Sequence, residues 1–431
     1  MINKSYFFLN LGCPKNQTDG DFVRAALNDL GLAESDYPAE VDFIFVNTCA
    51  FIDEARRETE GEIEQLLEVR RNGAKIIAFG CYPALPGFDN DRLPVDASFR
   101  FDEVAELLQY IGGDKSYCYE PERTKRVISE LPYAYLVISD GCDNRCSYCT
   151  IPNIRGRYAS RKPDKILAEA EYLALSGAKE IIIVAQDTTV YGRDLGMDVD
   201  LPGLCDQIAQ VDGIEWIRVM YAHPAHTDEA LLDRLYAIPK VCRYLDMPIQ
   251  HISDNVLKMM RRGYNAGKVH ALINHLRSLD KNISLRTTLM TGFPGESDDD
   301  FKALVDFVEQ AQFDHLGVFV YSPEYRTSAY DFPGRIDRTL AEDRYELLYE
   351  IAGDIILDKA SARIGRVEPM LIEGVSSEFE GYCEGRSCFQ APEIDGYYTL
   401  EITNGVGLGD IVQARIIGEN EAEIVSKGLV R

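Results

Sequence analysis

Three cysteines crowd one short stretch, SDGCDNRCSYCTIP, at Cys142, Cys146 and Cys149. Three thiolates in one loop suit a 4Fe–4S cluster with one iron left without a protein ligand. An iron with an open position binds a small chelating molecule and passes it an electron. The competing reading is a structural zinc site. Structural zinc takes four ligands, often as paired C-x-x-C motifs. Only one such pair is present here, and the next cysteine, Cys205, falls inside a helical pattern.

A second set is spread along the first eighty residues. Cys13, Cys49 and Cys81 each follow an apolar run, in LNLGC, FVNTC and AFGC. If those runs are parallel strands, their carboxyl ends share one sheet edge, where loops converge on ligands. Three cysteines distant in sequence would then be neighbours in space, fit for a second three-thiolate cluster. Single buried cysteines often serve as small core hydrophobes, but three at equivalent strand ends do not follow from packing. Cys118, Cys205, Cys242, Cys383 and Cys388 share no such pattern and read as structural or incidental.

These thiols need elements to hold them. Residues 1–115 alternate strands and helices: YFFLNLG, a helix beginning near Asp19, VDFIFVNTC, a polar helix from Asp53 to Arg71, then KIIAFGC. That βαβ order predicts a parallel-sheet α/β domain. A polar, glycine-containing stretch at Gly112–Glu130 reads as a linker. Residues 132–360 hold six strand-like runs, AYLVISDGC, EIIIVAQD, WIRVMYAH, YLDMPIQH, SLRTTLMTG and HLGVFVYS. Amphipathic helices separate them, such as Asp164–Ser176, Asp228–Ala237 and Ser297–Gln310, the last with Ser297 as N-cap. Six such units predict a partial (β/α)6 barrel, and the central cysteines follow its first strand, at the end where barrel sites form. Residues 363–431 change to short apolar runs between Gly and Asn turns, which predicts a small antiparallel β-barrel.

The chain has 431 residues, 46% hydrophobic and 27% charged, with a net charge of −26. Acidity on this scale disfavours generic nucleic-acid binding and favours a basic protein partner. The opening MINKSYFFLNLG reads as a strand and not a signal peptide, and no apolar run spans a bilayer. A cytoplasmic protein with reduced thiols is expected.

C-x-x-x-C-x-aromatic-C, with Tyr148 as the aromatic, resembles the radical-SAM signature. The three-part order resembles the methylthiotransferases: a three-cysteine domain, a radical-SAM barrel and a TRAM-like barrel. The resemblance covers nearly the whole chain. One branch of that family (MiaB type) modifies tRNA adenosine. The other (RimO type) modifies an aspartate of small-subunit ribosomal protein twelve. LGCPKN, NTCAFIDEA, MPIQHISD, RTTLMTGFPGE, GVFVYSPEYRTSA and GRSCFQAPEIDG are similar to the second branch. GCYPAL, DGD at Asp19–Asp21 and Gln390 depart from its usual strings. Residues 366–431 carry five basic against twelve acidic residues, unlike an RNA-binding surface.

The resemblance implies two 4Fe–4S clusters, S-adenosyl-L-methionine, and cluster ligands at Cys13, Cys49, Cys81, Cys142, Cys146 and Cys149. It implies methylthio transfer to the aspartate β-carbon, and a reductant such as flavodoxin or ferredoxin. A non-enzymatic metal-binding protein of the ribosome is the reading of a different class. Polar residues at strand ends are candidates to hold cofactor or substrate. They are Gln186, His223, Gln250, Arg286 and Glu324, with Tyr148 expected beside the cofactor. Arg286 is expected to meet a carboxylate of cofactor or substrate. A turn at Gly292, Pro294 and Gly295 would let backbone approach the cofactor. His226 and His251 read as structural.

Overall fold

The computed structural model describes residues 4–89, 92–113, 125–403 and 405–427. Cys118 and most of the expected linker lie outside these residues. Five parallel strands form the first sheet, in the order β2-β1-β3-β4-β5. They are β1 (Ser5–Asn10), β2 (Ala33–Glu34), β3 (Phe43–Thr48), β4 (Lys75–Gly80) and β5 (Ala97–Arg100). Every residue of β3 is buried, as a central strand covered on both faces must be. Sequence reading missed the two edge strands, which are too short and too polar to carry an apolar signal.

The helix expected near Asp19 begins five residues earlier, at Pro14, with Cys13 as its N-cap. Proline suits the first turn, where no amide partner is required. This helix buries Lys15, Asn16, Thr18, Asp19 and Asp21, a polar face that packs against the next unit of the chain. Lys15 Nζ lies 2.9 Å from Asp140, and Arg126 Nη1 lies 3.2 Å from Asp21.

Six parallel strands follow. β6 (Tyr133–Val137), β9 (Glu180–Val184) and β10 (Trp216–Val219) form one run. β11 (Tyr244–Asp246), β12 (Ser284–Thr291) and β13 (His315–Val320) form the other. A parallel bridge from Ile217 to Val241 joins the two. No ladder joins β6 to β13 among the described residues, so the curved sheet stays open, a partial barrel. Between β6 and β9, the two-residue strands β7 (Ser139–Asp140) and β8 (Ala159–Ser160) pair antiparallel and pinch the cysteine loop at its base. Ser297 caps the helix Asp298–Ala311 through a full capping box with Asp300.

The last five strands close a small barrel in the order β14-β15-β16-β18-β17. They are β14 (Val367–Val375), β15 (Tyr382–Ser387), β16 (Tyr398–Glu401), β17 (Ile411–Ile416) and β18 (Glu421–Lys427). Its ladders are antiparallel except β16–β18, which is parallel. The segment Gly385–Gly396 packs under the amino-terminal ends of the large barrel's strands. Asp395 accepts from Tyr244 Oη at 2.6 Å and faces Arg286 Nε at 3.3 Å. Cys242 and Cys388 lie in the apolar seam beside these contacts.

At the centre of that seam Glu180 is fully buried between Arg218 Nε at 2.6 Å and Arg386 Nη2 at 2.5 Å. Burial pushes the Glu180 carboxyl up, but the two guanidiniums outweigh it and hold it below the usual range. Breaking such a pair from one side strands a buried charge, at a cost of about 3–5 kcal/mol. Glu180→Gln is therefore expected to lower unfolding stability by that amount in urea titrations near neutral pH. Because the folded-state carboxyl is depressed, its contribution is full above the ordinary glutamate range of about 4.3. It fades as pH falls through the folded value. Wild type and variant should converge in acid.

Candidate active site

The cysteine loop leaves β7 at Gly141, whose φ is +67°. A Cβ there would sit 2.1 Å from the Arg157 carbonyl oxygen, so only glycine lets the two ends of the loop close. Cys142 then donates its amide to Gly156 O at 3.2 Å. The Ser147 amide bonds Met260 O, and the Ala329 amide bonds Ser147 O. The loop is thereby pinned between two neighbouring turns of the barrel.

Cys146 lies close enough to Cys142 and Cys149 to raise both of their thiols. Burial pushes the Cys142 thiol up to about 11, and Cys146 adds to the rise. Cys149 is raised further, by burial first and then by Cys146. As thiolates, three partly buried sulfurs this close would need a compensating cation, which a bound metal would supply. Arg262 is one fixed positive charge beside them. Its Nη1 lies 3.3 Å from Cys146 Sγ and 3.3 Å from Tyr148 Oη, and its Nη2 donates to Pro248 O at 2.6 Å. Sequence reading missed Arg262, because nothing in MRRGYN marks it as facing a loop over a hundred residues earlier.

Cys13, Cys49 and Cys81 also converge. Gly12 has φ +91°, and a Cβ there would lie 2.9 Å from Cys49 Sγ. Asn16 ties the strand ends, donating to Leu11 O at 2.7 Å and Thr48 O at 3.2 Å. Asn47 donates to Asn10 Oδ1 at 2.8 Å and Asn16 O at 2.6 Å. Burial pushes the Cys49 thiol up to about 11, and Cys13 and Cys81 raise it further. From the barrel side, Arg155 donates to Cys81 Sγ at 3.2 Å and to Asn16 Oδ1 at 3.2 Å, and pairs with Asp19. Arg155 stands six residues after Cys149, so one short segment serves both trios. Burial raises the Tyr221 phenol of the barrel, and Cys13 adds to that rise. The N-terminal trio is thus touched from the barrel unit by Arg155, at Cys81.

The other expected residues divide. Gln186 has its Oε1 buried without a partner. His223 accepts from Ala225 N at 3.2 Å through Nδ1, while its Nε2 is buried without a partner. Burial, then Arg262, pushes His223 down to about 2, so the ring is neutral. With Nδ1 accepting, Nε2 carries the proton. An orphaned donor and an orphaned acceptor at strand ends beside a thiol trio suit a polar, zwitterionic cofactor. Gln250 sits at φ +72°, held by main-chain bonds to Thr288 O and from Met290 N, both 2.8 Å. Arg145, Tyr221 and Arg261 are further non-glycine residues with positive φ in the loops on this side of the sheet.

Arg286 meets carboxylates, but they belong to the protein: Asp246 at 3.2 Å and Asp395 at 3.3 Å. It stands near the start of β12, where the small barrel packs. Glu324 is likewise engaged, accepting from Asp53 N at 2.8 Å and pairing with Arg56 Nη1 at 2.7 Å. It fastens the helix Asp53–Val69 to the barrel. The turn at Gly292 faces Ala341, whose Cβ would be 2.4 Å from an added Cβ. His226, expected to be structural, shares Asn144 of the cysteine loop with Asp187, each bond 2.8 Å. His251 is buried and accepts from Ser253 N at 2.9 Å.

The open six-stranded barrel, with three thiols in the loop after its first strand, defines a radical-SAM enzyme. Residues 136–308 match the Radical SAM superfamily, residues 364–427 the TRAM domain, and residues 5–93 the Uncharacterized protein family UPF0004. Among solved structures, the radical S-adenosylmethionine methyltransferase TsrM of Kitasatospora setae shares the fold, with a TM-score of 0.55 at 17% identity. That match covers 75% of this chain and 77% of TsrM. The ribosomal protein uS12 methylthiotransferase RimO of Aquifex aeolicus is 40% identical, over 95% of this chain and 93% of its own. RimO of Geobacter sulfurreducens is 38% identical, over 97% of each chain. RimO of Trichlorobacter lovleyi is 37% identical, also over 97% of each. The chain belongs to the RimO family of radical-SAM methylthiotransferases. Membership implies a 4Fe–4S cluster and S-adenosylmethionine. No helix among the described residues is long and apolar enough to cross a membrane.

Proposed function

We propose that this enzyme adds a methylthio group to the β-carbon of an aspartate in ribosomal protein uS12, using two clusters. The observation that carries the reading is the convergence of Cys13, Cys49 and Cys81 at one edge of their sheet, with Arg155 of the segment after the central cysteines donating to Cys81 Sγ at 3.2 Å. Cys142, Cys146 and Cys149 would hold the radical-generating cluster, and the N-terminal trio a second one. When bound, these groups and S-adenosylmethionine supply a hydrogen-abstracting carbon radical and the sulfur to be transferred.

The chain's own part is placement. Arg262 and Arg155 offset the negative charge of the two thiolate sets and fix one sulfur of each by a hydrogen bond. Gln186 and His223 offer an acceptor and a donor to the cofactor, with Tyr148 and Gln250 beside them. Arg286 is reassigned to the contact between the two barrels, because its guanidinium is already paired there. We assign residues 1–115, 132–360 and 363–431 to the three domains. The reductant is a flavodoxin- or ferredoxin-type protein, and the setting is the cytoplasm.

Mass spectrometry of uS12 and of tRNA from a deletion strain tests the substrate. The uS12 aspartate should lose its thiomethyl group while tRNA nucleosides are unchanged. A thiomethyl group lost from tRNA instead would overturn the reading. His223→Phe keeps the ring and removes the donor. It should weaken S-adenosylmethionine binding about tenfold, or about 1.4 kcal/mol. Calorimetry on the reconstituted protein reads this, and unchanged affinity would remove His223 from the cofactor site.

A further inference from the structure

The residues that follow Cys149, Thr150 to Arg155, meet both thiol sets at each of their ends. Pro152 fixes one φ, and the Asn153, Ile154 and Arg155 amides close a single helical turn over Ile151–Ile154. Thr150, Ile154 and Arg155 are buried. Ile154 packs into the apolar core of the first sheet, in the same cluster as Ala50 and Cys81. At the front end Cys149 belongs to the central trio, while Thr150 Oγ1 donates to Phe51 O at 3.0 Å. Phe51 stands two residues after Cys49. Burial raises the Cys49 thiol, and the Phe51 amide opposes that rise. At the far end Arg155 Nη2 donates to Cys81 Sγ at 3.2 Å, and the next carbonyl, Gly156 O, accepts from the Cys142 amide at 3.2 Å.

Arg155 is itself locked in place. Its guanidinium pairs with Asp19, donates to Asn16 Oδ1 at 3.2 Å and lies 4.1 Å from the centre of the Phe101 ring. Its Nη1 stands 3.9 Å from Asp140, which accepts from the Gly141 amide at 2.9 Å and pairs with Lys15 at 2.9 Å. Lys15 is also 3.9 Å from Asp19. Two cations and two carboxylates meet here, so the group carries little net charge. What Arg155 brings to Cys81 is a hydrogen bond of fixed direction, made by a planar fork whose other prong is held by Asp19.

Resting on the two-cluster reading above, we propose that Thr150–Arg155 is a rigid spacer that sets where the two clusters stand relative to one another, with Thr150 and Arg155 as its positioning residues. A radical generated through one site must collect a group held at the other, so the gap between them has to be held closely. A misplacement of about 1 Å is enough to cost about a hundredfold in rate. The two trios come from units far apart in the chain, and this turn is where the loop of one is bonded to the strand ends of the other.

The test compares Arg155→Gln, Arg155→Lys and Thr150→Val with wild type in reconstituted full-length protein. In Arg155→Gln the ratio of methylthiolated uS12 to 5′-deoxyadenosine should fall at least roughly tenfold, because radicals still form but the sulfur is displaced. Arg155→Lys should resemble Arg155→Gln, since a charge without the fork does not fix the sulfur. Thr150→Val keeps the shape of the side chain and loses one donor, and should lower the ratio about threefold. A second readout needs no turnover. In a Cys146→Ala background, which leaves the N-terminal cluster alone, adding Arg155→Gln should move its reduction potential negative, because a hydrogen bond to a ligand sulfur favours the reduced cluster. The expected shift is about tenfold in the one-electron equilibrium, or about 59 mV, read by a redox titration followed by electron paramagnetic resonance. An unchanged product ratio in both Arg155→Gln and Thr150→Val overturns the spacer. So does an equal fall of both products, which marks residues needed for folding alone, and Thr150→Val decides this if Arg155→Gln loses iron. Wild-type coupling in Arg155→Lys, or an unmoved potential, overturns Arg155 as the residue that holds Cys81. About four irons per chain in wild type, instead of about eight, would overturn the two-cluster reading beneath the proposal.

Discussion

Cys146→Ala is expected to leave a folded chain that no longer cleaves S-adenosylmethionine. Its thiol is the central one of the loop, bracketed by Cys142 and Cys149, and it is the one that Arg262 contacts at 3.3 Å. Two remaining thiolates cannot hold a cluster that takes three from the protein and keeps one iron open. The side chain lies in the loop and outside the apolar core, so global stability should change little. Iron in anaerobically reconstituted protein should fall from about eight to about four per chain. Formation of 5′-deoxyadenosine, followed by chromatography, should drop to the level without enzyme, and methylthio transfer with it. Cleavage within tenfold of wild type would falsify the assignment of this loop.

Loss of a thiol from the other trio should separate the two chemistries. Cys49→Ala should also halve iron, to about four per chain. Yet 5′-deoxyadenosine should still form, because the loop at Cys142–Cys149 is held by β7, β8 and the Met260 turn and not by Cys49. Methylthio transfer to uS12 should vanish. Cys49 is only partly buried, and alanine keeps its Cβ and removes only the sulfur, so the shorter side chain is accommodated without clash. Product formation in Cys49→Ala, at any rate above a tenth of wild type, would mean that the sulfur comes from elsewhere. The contrast between the variants is the stronger result: one abolishes both activities, the other only the second.

Much of this was legible in the residues. The six barrel strands could be read because each is a short apolar run followed by a polar residue at its carboxyl end. The parallel first sheet followed from LNLGC, FVNTC and AFGC, whose common form put three thiols on one edge. The edge strands at Ala33–Glu34 and Ala97–Arg100 were invisible, because strand pairing at an edge needs backbone geometry more than apolar side chains. The first helix starts before the expected Asp19 because Pro14 is accommodated in its first turn, ahead of the apolar residues that carry the helical pattern.

Arg286 shows the limit most clearly. A strand-end arginine in a barrel is a sound candidate for a ligand carboxylate, yet Asp395, more than a hundred residues later, is its partner. Sequence alone determined which atoms could do chemistry here and that they come in two sets, since thiol type and strand-end position are local properties. Only the tertiary structure decided which cations stand beside those thiols, and which short segment reaches both sets. Charged side chains pair by distance in space, and that distance is set by how the first sheet and the two barrels pack.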